Sequence, residues 1–316
     1  MRFLRHSQQP ALIAMHQRYD DDFVESAVFL AASGRRSVPA AHIRRFHIER
    51  ERCYSVLDPD ERNAAFFKLH LDWFREWGLE KLLLDLLHEY PLLPPALTTL
   101  AFRKVRMKKD EGAELYVSAE NGRSAVVAMR PERFESDEAV RHFLRHEFMH
   151  LSDMVNPAFG YSPDVRGPAG NPSHQRIVRE RYRLLWDITI DGRLGRAADS
   201  ERHRAVFDQA FWFWPEDKRG EVFSRLWAPE SPRHDELLTL ASDPRDVTHA
   251  DEPLPGGACP SCGFSTFEWA DVDALGEGVR AAILRAFPRW SAARGVCQRC
   301  AEVYATANGY AEALPQ

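Results

Sequence analysis

Apolar positions are most regularly spaced in residues 136–154, where Val140, Phe143, Leu144, Phe148 and Leu151 recur three and four apart. Ser136 stands ready to cap, and Asp137 and Glu138 follow in the first turn, where carboxylates suit the positive end of a helix dipole. No proline or glycine interrupts before Pro157, so the pattern predicts an amphipathic helix. Upstream, residues 98–107 alternate loosely around Leu100, Phe102 and Val105, and 113–119 and 124–129 have strand character. Asn121-Gly122 between the last two predicts a hairpin. Residues 1–95 read as helical, with apolar segments at 66–74 and 82–87, and end at Pro91, Pro94 and Pro95. A second helix is expected over 174–196, after a loop rich in proline and glycine. The aromatic run Phe207, Phe211, Trp212, Phe213, Trp214, Phe223 and Trp227 predicts core packing between two helices joined near Pro215.

These elements predict an α+β protein, mainly helical, with a small antiparallel sheet packed on the 136–154 helix. The expected divisions are a helical region at 1–96, a core at 97–241, a linker at 242–257 and a small module at 258–316.

The predicted helix carries His146-Glu147-Phe148-Met149-His150. Residues i and i+4 share one helical face, so His146 and His150 can reach one metal ion, with Glu147 beside it to take a proton from water. This run resembles the H-E-x-x-H signature of the zincins, which implies a zinc hydrolase, above all a peptidase. The order of strands, hairpin and motif helix is similar to the upper domain of that fold. There an antiparallel sheet lies against the active-site helix, and its edge strand can pair with an extended peptide. His142, one turn earlier on the same stripe, reads as a surface or packed residue.

A catalytic zinc takes three protein ligands and leaves a fourth position open. The second helix carries Asp187 and Asp191 one turn apart among Leu184, Leu185, Trp186, Ile188 and Ile190, and a carboxylate in apolar surroundings needs a metal or a strong donor. Here the chain resembles the gluzincins, which carry E-x-x-x-D on the helix after the motif, although Asp187 stands where those have glutamate. The resemblance implies that Asp187 binds zinc and Asp191 supports His146 through a hydrogen bond, and the reverse assignment stays open. His174 is a further candidate, since SprT-like proteases use a third histidine downstream. Glu180, among arginines, is expected in surface ion pairs. His146 to Asp153 also resembles the H-E-F-x-H-x-x-D run of the Mlc titration factor peptidases, with Asp153 expected to be structural. Tyr161, His174 and Arg193 are candidate oxyanion stabilisers.

Cys259-Pro260-Ser261-Cys262 and Cys297-Gln298-Arg299-Cys300 form a CxxC pair of pairs that predicts a second, structural zinc in a ribbon-like module. A helix is expected between them near 271–287, and Cys53 is left over as an inert thiol. From residue 251 onward acidic residues outnumber arginines eight to five and there is no lysine. That balance argues against a nucleic-acid surface and for a protein contact.

The chain has 316 residues, a formal net charge of −5 and a pI near 6.2. No apolar secretory region is seen at the N-terminus and no stretch approaches a membrane span. CxxC pairs suit a reducing compartment, so a cytoplasmic location is expected. The expected activity is peptide or protein hydrolysis with two zinc ions, one catalytic and one structural. The alternatives are a zincin-fold regulatory or binding protein with little turnover, and a nucleic-acid-associated SprT-like protease.

Overall fold

The computed structural model describes residues 15–119, 122–163, 172–212, 214–242, 253, 255–287 and 290–312. Side chains of 35, 172–174 and 307–312 lie outside that description. The chain divides into two compact units, Met1–Pro157 and Ala158–Gln316.

The first unit runs β1(His16–Tyr19), α1(Asp21–Leu30), α2(Ala40–Cys53), α3(Pro59–Glu76), α4(Leu79–His88), α5(Leu93–Ala96), β2(Thr99–Lys104), β3(Gly112–Val117), β4(Arg123–Met129) and α6(Asp137–Val155). Local chemistry sets several boundaries. Asp58 accepts hydrogen bonds from the N–H groups of Asp60 and Glu61, each 2.9 Å, and Pro59 opens the first turn of α3. Ser136 caps α6 by accepting from the N–H groups of Glu138 and Ala139 at 3.1 and 3.3 Å. The predicted stripe Val140, Phe143, Leu144, Phe148 and Leu151 is buried along α6.

The sheet is mixed, in the order β1-β2-β4-β3. β1 pairs parallel with β2, β2 pairs parallel with β4, and only β3 and β4 form the expected antiparallel hairpin. This corrects the antiparallel sheet of the sequence reading, and the cause is topological. Helices α1 to α5 carry the chain from β1 to β2, and such a crossover returns a strand in the same direction. β4 then inserts between β2 and β3, burying Ala125, Val127, Ala128 and Met129. β3 is left at the edge with Tyr116 and Val117 exposed. The Glu120-Asn121 tip of the hairpin lies outside the described residues. β1, His-Gln-Arg-Tyr, was not foreseen, because four largely polar residues carry no readable alternation.

The helices and sheet share one core. Phe23 stacks on Phe102 with ring centroids 6.2 Å apart, and Phe74 meets Phe134 edge-on at 5.7 Å. α6 lies against β3, α4 and α5. Two contacts hold α6 just ahead of the motif. The Tyr90 hydroxyl donates to the Arg145 carbonyl at 2.8 Å, and the Arg145 guanidinium grips both Glu89 oxygens at 2.7 and 2.8 Å.

The second unit runs α7(Pro172–Arg193), α8(Ser200–Ala210), α9(Glu216–Leu226), α10(His234–Ser242), β5(Gly257–Ala258), β6(Ser265–Thr266), α11(Glu277–Ala286) and α12(Gln298–Glu312). Helices α8, α9 and α10 pack on α7. The aromatic run closes this core, with Phe207–Phe211 and Phe211–Trp214 centroids each 4.8 Å apart. Trp212 is exposed, and Phe213 lies outside the described residues. The expected linker falls largely on 243–252, also outside that description. Among the described residues no helix is long and apolar enough to cross a membrane.

Candidate metal centres

His146 and His150 project from one face of α6, their ring centroids 4.9 Å apart. Both are half-buried, as is Glu147 between them in sequence. On the next helix the two aspartates differ. Asp187 is half-buried, and one of its carboxylate oxygens and a ring nitrogen of each histidine all lie within 4.8 Å of one another. This His/His/Asp group could hold a metal ion.

Asp191 is 2 % exposed. The Arg196 guanidinium donates to its Oδ1 at 2.6 Å, and His203 Nε2 lies 2.7 Å from its Oδ2. A buried carboxylate thus receives a charged donor and an imidazole, which is how a charge persists out of water. Neither Arg196 nor His203 was singled out in the sequence, since an ion pair across a helix end leaves no periodic trace.

Gly112 was also missed. It opens β3 at φ 154°, a conformation that L side chains rarely adopt, and a β-carbon built there would stand 3.9 Å from Glu147 Oε2. A glycine at the start of an apolar strand is the available signal for such a backbone approach. The preceding residue, Glu111, has a side chain only 3 % exposed. Arg133 grips its two oxygens at 2.9 and 2.8 Å, and the Arg130 N–H donates to it at 3.1 Å. Burial pushes the Glu111 carboxyl up, but the Arg133 hydrogen bonds and the donors beside them prevail and hold it below its ordinary value.

Other sequence candidates fall as follows. Glu180 is exposed and pairs with Arg176 at 2.7 Å, as expected. Asp153 is buried on α6. His142 is exposed. The His174 side chain lies outside the described residues. Tyr161 packs against the rings of Trp186 and His234, each with centroids 5.7 Å away, and burial raises its hydroxyl pKa. Arg193 donates to the Thr189 carbonyl at 3.2 Å and to Ser231 at 3.1 Å.

The four CxxC cysteines form the second group, with all four sulfurs within 4.8 Å of one another. None is in a disulfide. The first pair sits in a tight knuckle between β5 and β6. The Gly263 N–H donates to the Cys259 carbonyl, the Cys259 N–H donates to the Phe264 carbonyl, both at 2.8 Å, and Gly263 takes φ 73°. The second pair is built differently. Cys297 immediately precedes α12 and Cys300 lies in its first turn, so this CxxC sits at a helix N-terminus, where the Cys300 N–H donates to the Cys297 sulfur at 3.4 Å but burial outweighs it and raises that thiol. Burial pushes the Cys300 thiol up to about 12. Burial also acts to raise Cys259, but N–H groups of Cys297, Cys262 and Ser261 bring it below the ordinary value. A metal bound here would displace protons. The helix expected near 271–287 is α11, and Ile283, Trp290, Val296 and Ala301 form a small core beside the cysteines. Cys53 is half-buried on α2, its thiol raised by burial.

Comparison with protein-family models, with curated proteins and with solved structures finds no match to this chain.

Proposed function

We propose that this protein is a zinc-dependent metallopeptidase of zincin type, with His146, His150 and Asp187 as metal ligands and Glu147 as general base. The observation that carries the reading is the convergence of two imidazoles and one carboxylate within 4.8 Å. Two nitrogens and one oxygen, with no fourth ligand in the group among the described residues, form the donor set of a catalytic rather than a structural zinc. A bound zinc would supply Lewis acidity to a peptide carbonyl. The chain supplies the rest. Glu147 takes the proton of the attacking water and returns it to the leaving nitrogen. β3 lies against α6 at the sheet edge, and its outer side has no strand partner among the described residues, which supports a substrate bound as an added strand. In this reading Asp191, held by Arg196 and His203, fixes the end of the ligand helix.

The cysteine group is read as a structural zinc site. Two sulfurs about 2.3 Å from one ion at the tetrahedral angle stand about 3.8 Å apart. The Cys262 and Cys297 sulfurs are 3.9 Å apart. Four thiolates leave no open position, so the role is to staple a module with a small core. The exposed Phe264 on the knuckle and Phe267 just after β6 support a protein partner there.

The test is metal content per chain by mass spectrometry, with peptide hydrolysis measured in parallel. The native protein is expected to hold two zincs and a His146→Ala/His150→Ala variant one. Glu147→Gln should keep both metals and lose turnover by about a hundredfold or more. One zinc in both the native protein and the double variant would end the peptidase reading. Hydrolysis undiminished in Glu147→Gln would do the same.

A further inference from the structure

A cavity of about 340 Å³ opens in the first unit among α1, α2 and α3. That volume lies at the small end of metabolite sites. Its walls are chemically divided. α1 presents Asp21 and Glu25, one helical turn apart. The α2 wall presents Arg50, whose guanidinium lies over the rings of Phe29 and Tyr54 at 5.1 and 5.4 Å and donates to the Tyr54 hydroxyl at 2.8 Å. α3 supplies Phe66 and His70, stacked with centroids 6.1 Å apart.

Two observations show unmet polar demand. His70 is 3 % exposed and its Nε2 has no hydrogen-bond partner. Arg50 Nε is buried and equally unsatisfied. Native interiors seldom leave such atoms unpaired, and the exceptions ask for a missing partner. Among the described residues Arg50, Asp21 and Glu25 form no ion pair with one another. Burial, and then the Arg50 charge, bring the His70 imidazole down to about 4, so it is neutral near pH 7 and its Nε2 is a donor or an acceptor according to the tautomer.

We propose that this cavity binds a free α-amino acid as its zwitterion, the carboxylate on Arg50, the ammonium on Asp21 and Glu25, and the side chain against Phe66. A simple anion would meet the two carboxylates, and a simple amine would leave the guanidinium unmatched. A metal ion fits no better, because Asp21, Glu25 and His70 do not converge as the two metal groups do. An α-amino acid carries both charges on one carbon beside its side chain, so it satisfies each wall and offers a polar atom to His70 Nε2. This site is independent of the peptidase reading.

The test uses the full chain in isothermal titration calorimetry against the proteinogenic L-amino acids. L-Phenylalanine is bracketed by phenylethylamine, which lacks the carboxylate, and 3-phenylpropionate, which lacks the amine, and other binders are bracketed in the same way. N-acetyl and amide derivatives separate a free amino acid from a peptide end. At least one amino acid is expected to bind saturably, its amine-only and acid-only analogues about tenfold or more weaker. Arg50→Gln and Glu25→Gln should each weaken binding about tenfold with circular dichroism unchanged. No saturable binding by any amino acid would overturn the proposal. So would a binder whose single-charge analogue binds as tightly, or native affinity in Arg50→Gln. Should the variants fail to fold, the analogue series on the native protein decides alone.

Discussion

Glu147 Oε2 stands 3.9 Å from the point that a β-carbon on Gly112 would occupy. The edge strand therefore begins at backbone distance from the proposed general base. The obstacle to a side chain at Gly112 is conformational, since 3.9 Å is ordinary contact while φ 154° is strained for any L residue. Gly112→Ala is expected to cost about 1–3 kcal/mol and to shift the start of β3. Hydrolysis should fall while zinc content stays at the native value. Assaying metal and turnover on one preparation checks this, and unchanged turnover would detach β3 from the site.

Glu111 and Arg133 hold that same strand start. Removing one partner of a buried pair strands the other, so Arg133→Met should destabilise by roughly 3 kcal/mol. The Glu111 carboxyl is held below its ordinary value of 4.5. A depressed folded pKa contributes stability that is complete above the unfolded pKa and is lost as pH falls through the folded one. The stability gap between the native protein and Glu111→Gln should thus be constant at neutral pH and narrow below about pH 4.5. Denaturant midpoints measured from pH 7 to pH 3 test it, and a gap that widens with acid would be the wrong sign.

Asp187 and Asp191 should fail in different ways. Asp187→Ala is expected to lose the zinc proposed at His146 and His150, with little loss of fold stability. Asp191→Ala leaves Arg196 and His203 without their buried acceptor and should destabilise by about 3 kcal/mol. Metal analysis beside thermal unfolding separates the two, and the reverse pattern would place the metal on Asp191.

Gly192 follows Asp191 and meets the backbone of Trp227. A β-carbon there would lie 2.4 Å from the Trp227 carbonyl oxygen, which a backbone atom cannot relieve by turning aside. Gly192→Ala should cost roughly 2–3 kcal/mol through overpacking. Wild-type stability in that variant, read from a denaturant curve, would contradict the packing of α7 on the α9 end.

The cysteine module rests on a small core and four thiols. Chelation, or Cys259→Ser, should unfold residues beyond 255 while α6 keeps its amide protection, because metal binding free energy is folding free energy in such modules. Hydrogen exchange by mass spectrometry resolves the two regions.

The motif helix was legible in full from its own residues. Cap, first-turn acids and buried stripe are local features, and so are the hairpin pairing, the helix carrying Asp187 and the CxxC spacing. Each depends on contacts within a few positions, where periodicity and turn chemistry act directly. The sheet direction was not legible, because a strand's own pattern shows which face is buried and not which neighbour it meets. The second CxxC looked ribbon-like for the same reason, since its spacing suits a knuckle and a helix N-terminus equally.

The sequence by itself determined which side chains are candidates: His146, Glu147 and His150 on one helical face, two aspartates one turn apart, and four paired cysteines. Only the tertiary structure decided that Asp187 joins the histidines while Asp191 meets Arg196 and His203. It also decided that Gly112 approaches Glu147, and that Arg50 and His70 face a cavity with Asp21. The physical reason is range. Helical phase is set by the backbone over a few residues, whereas a ligand set or a buried ion pair depends on where separate elements pack, and that is governed by the whole core.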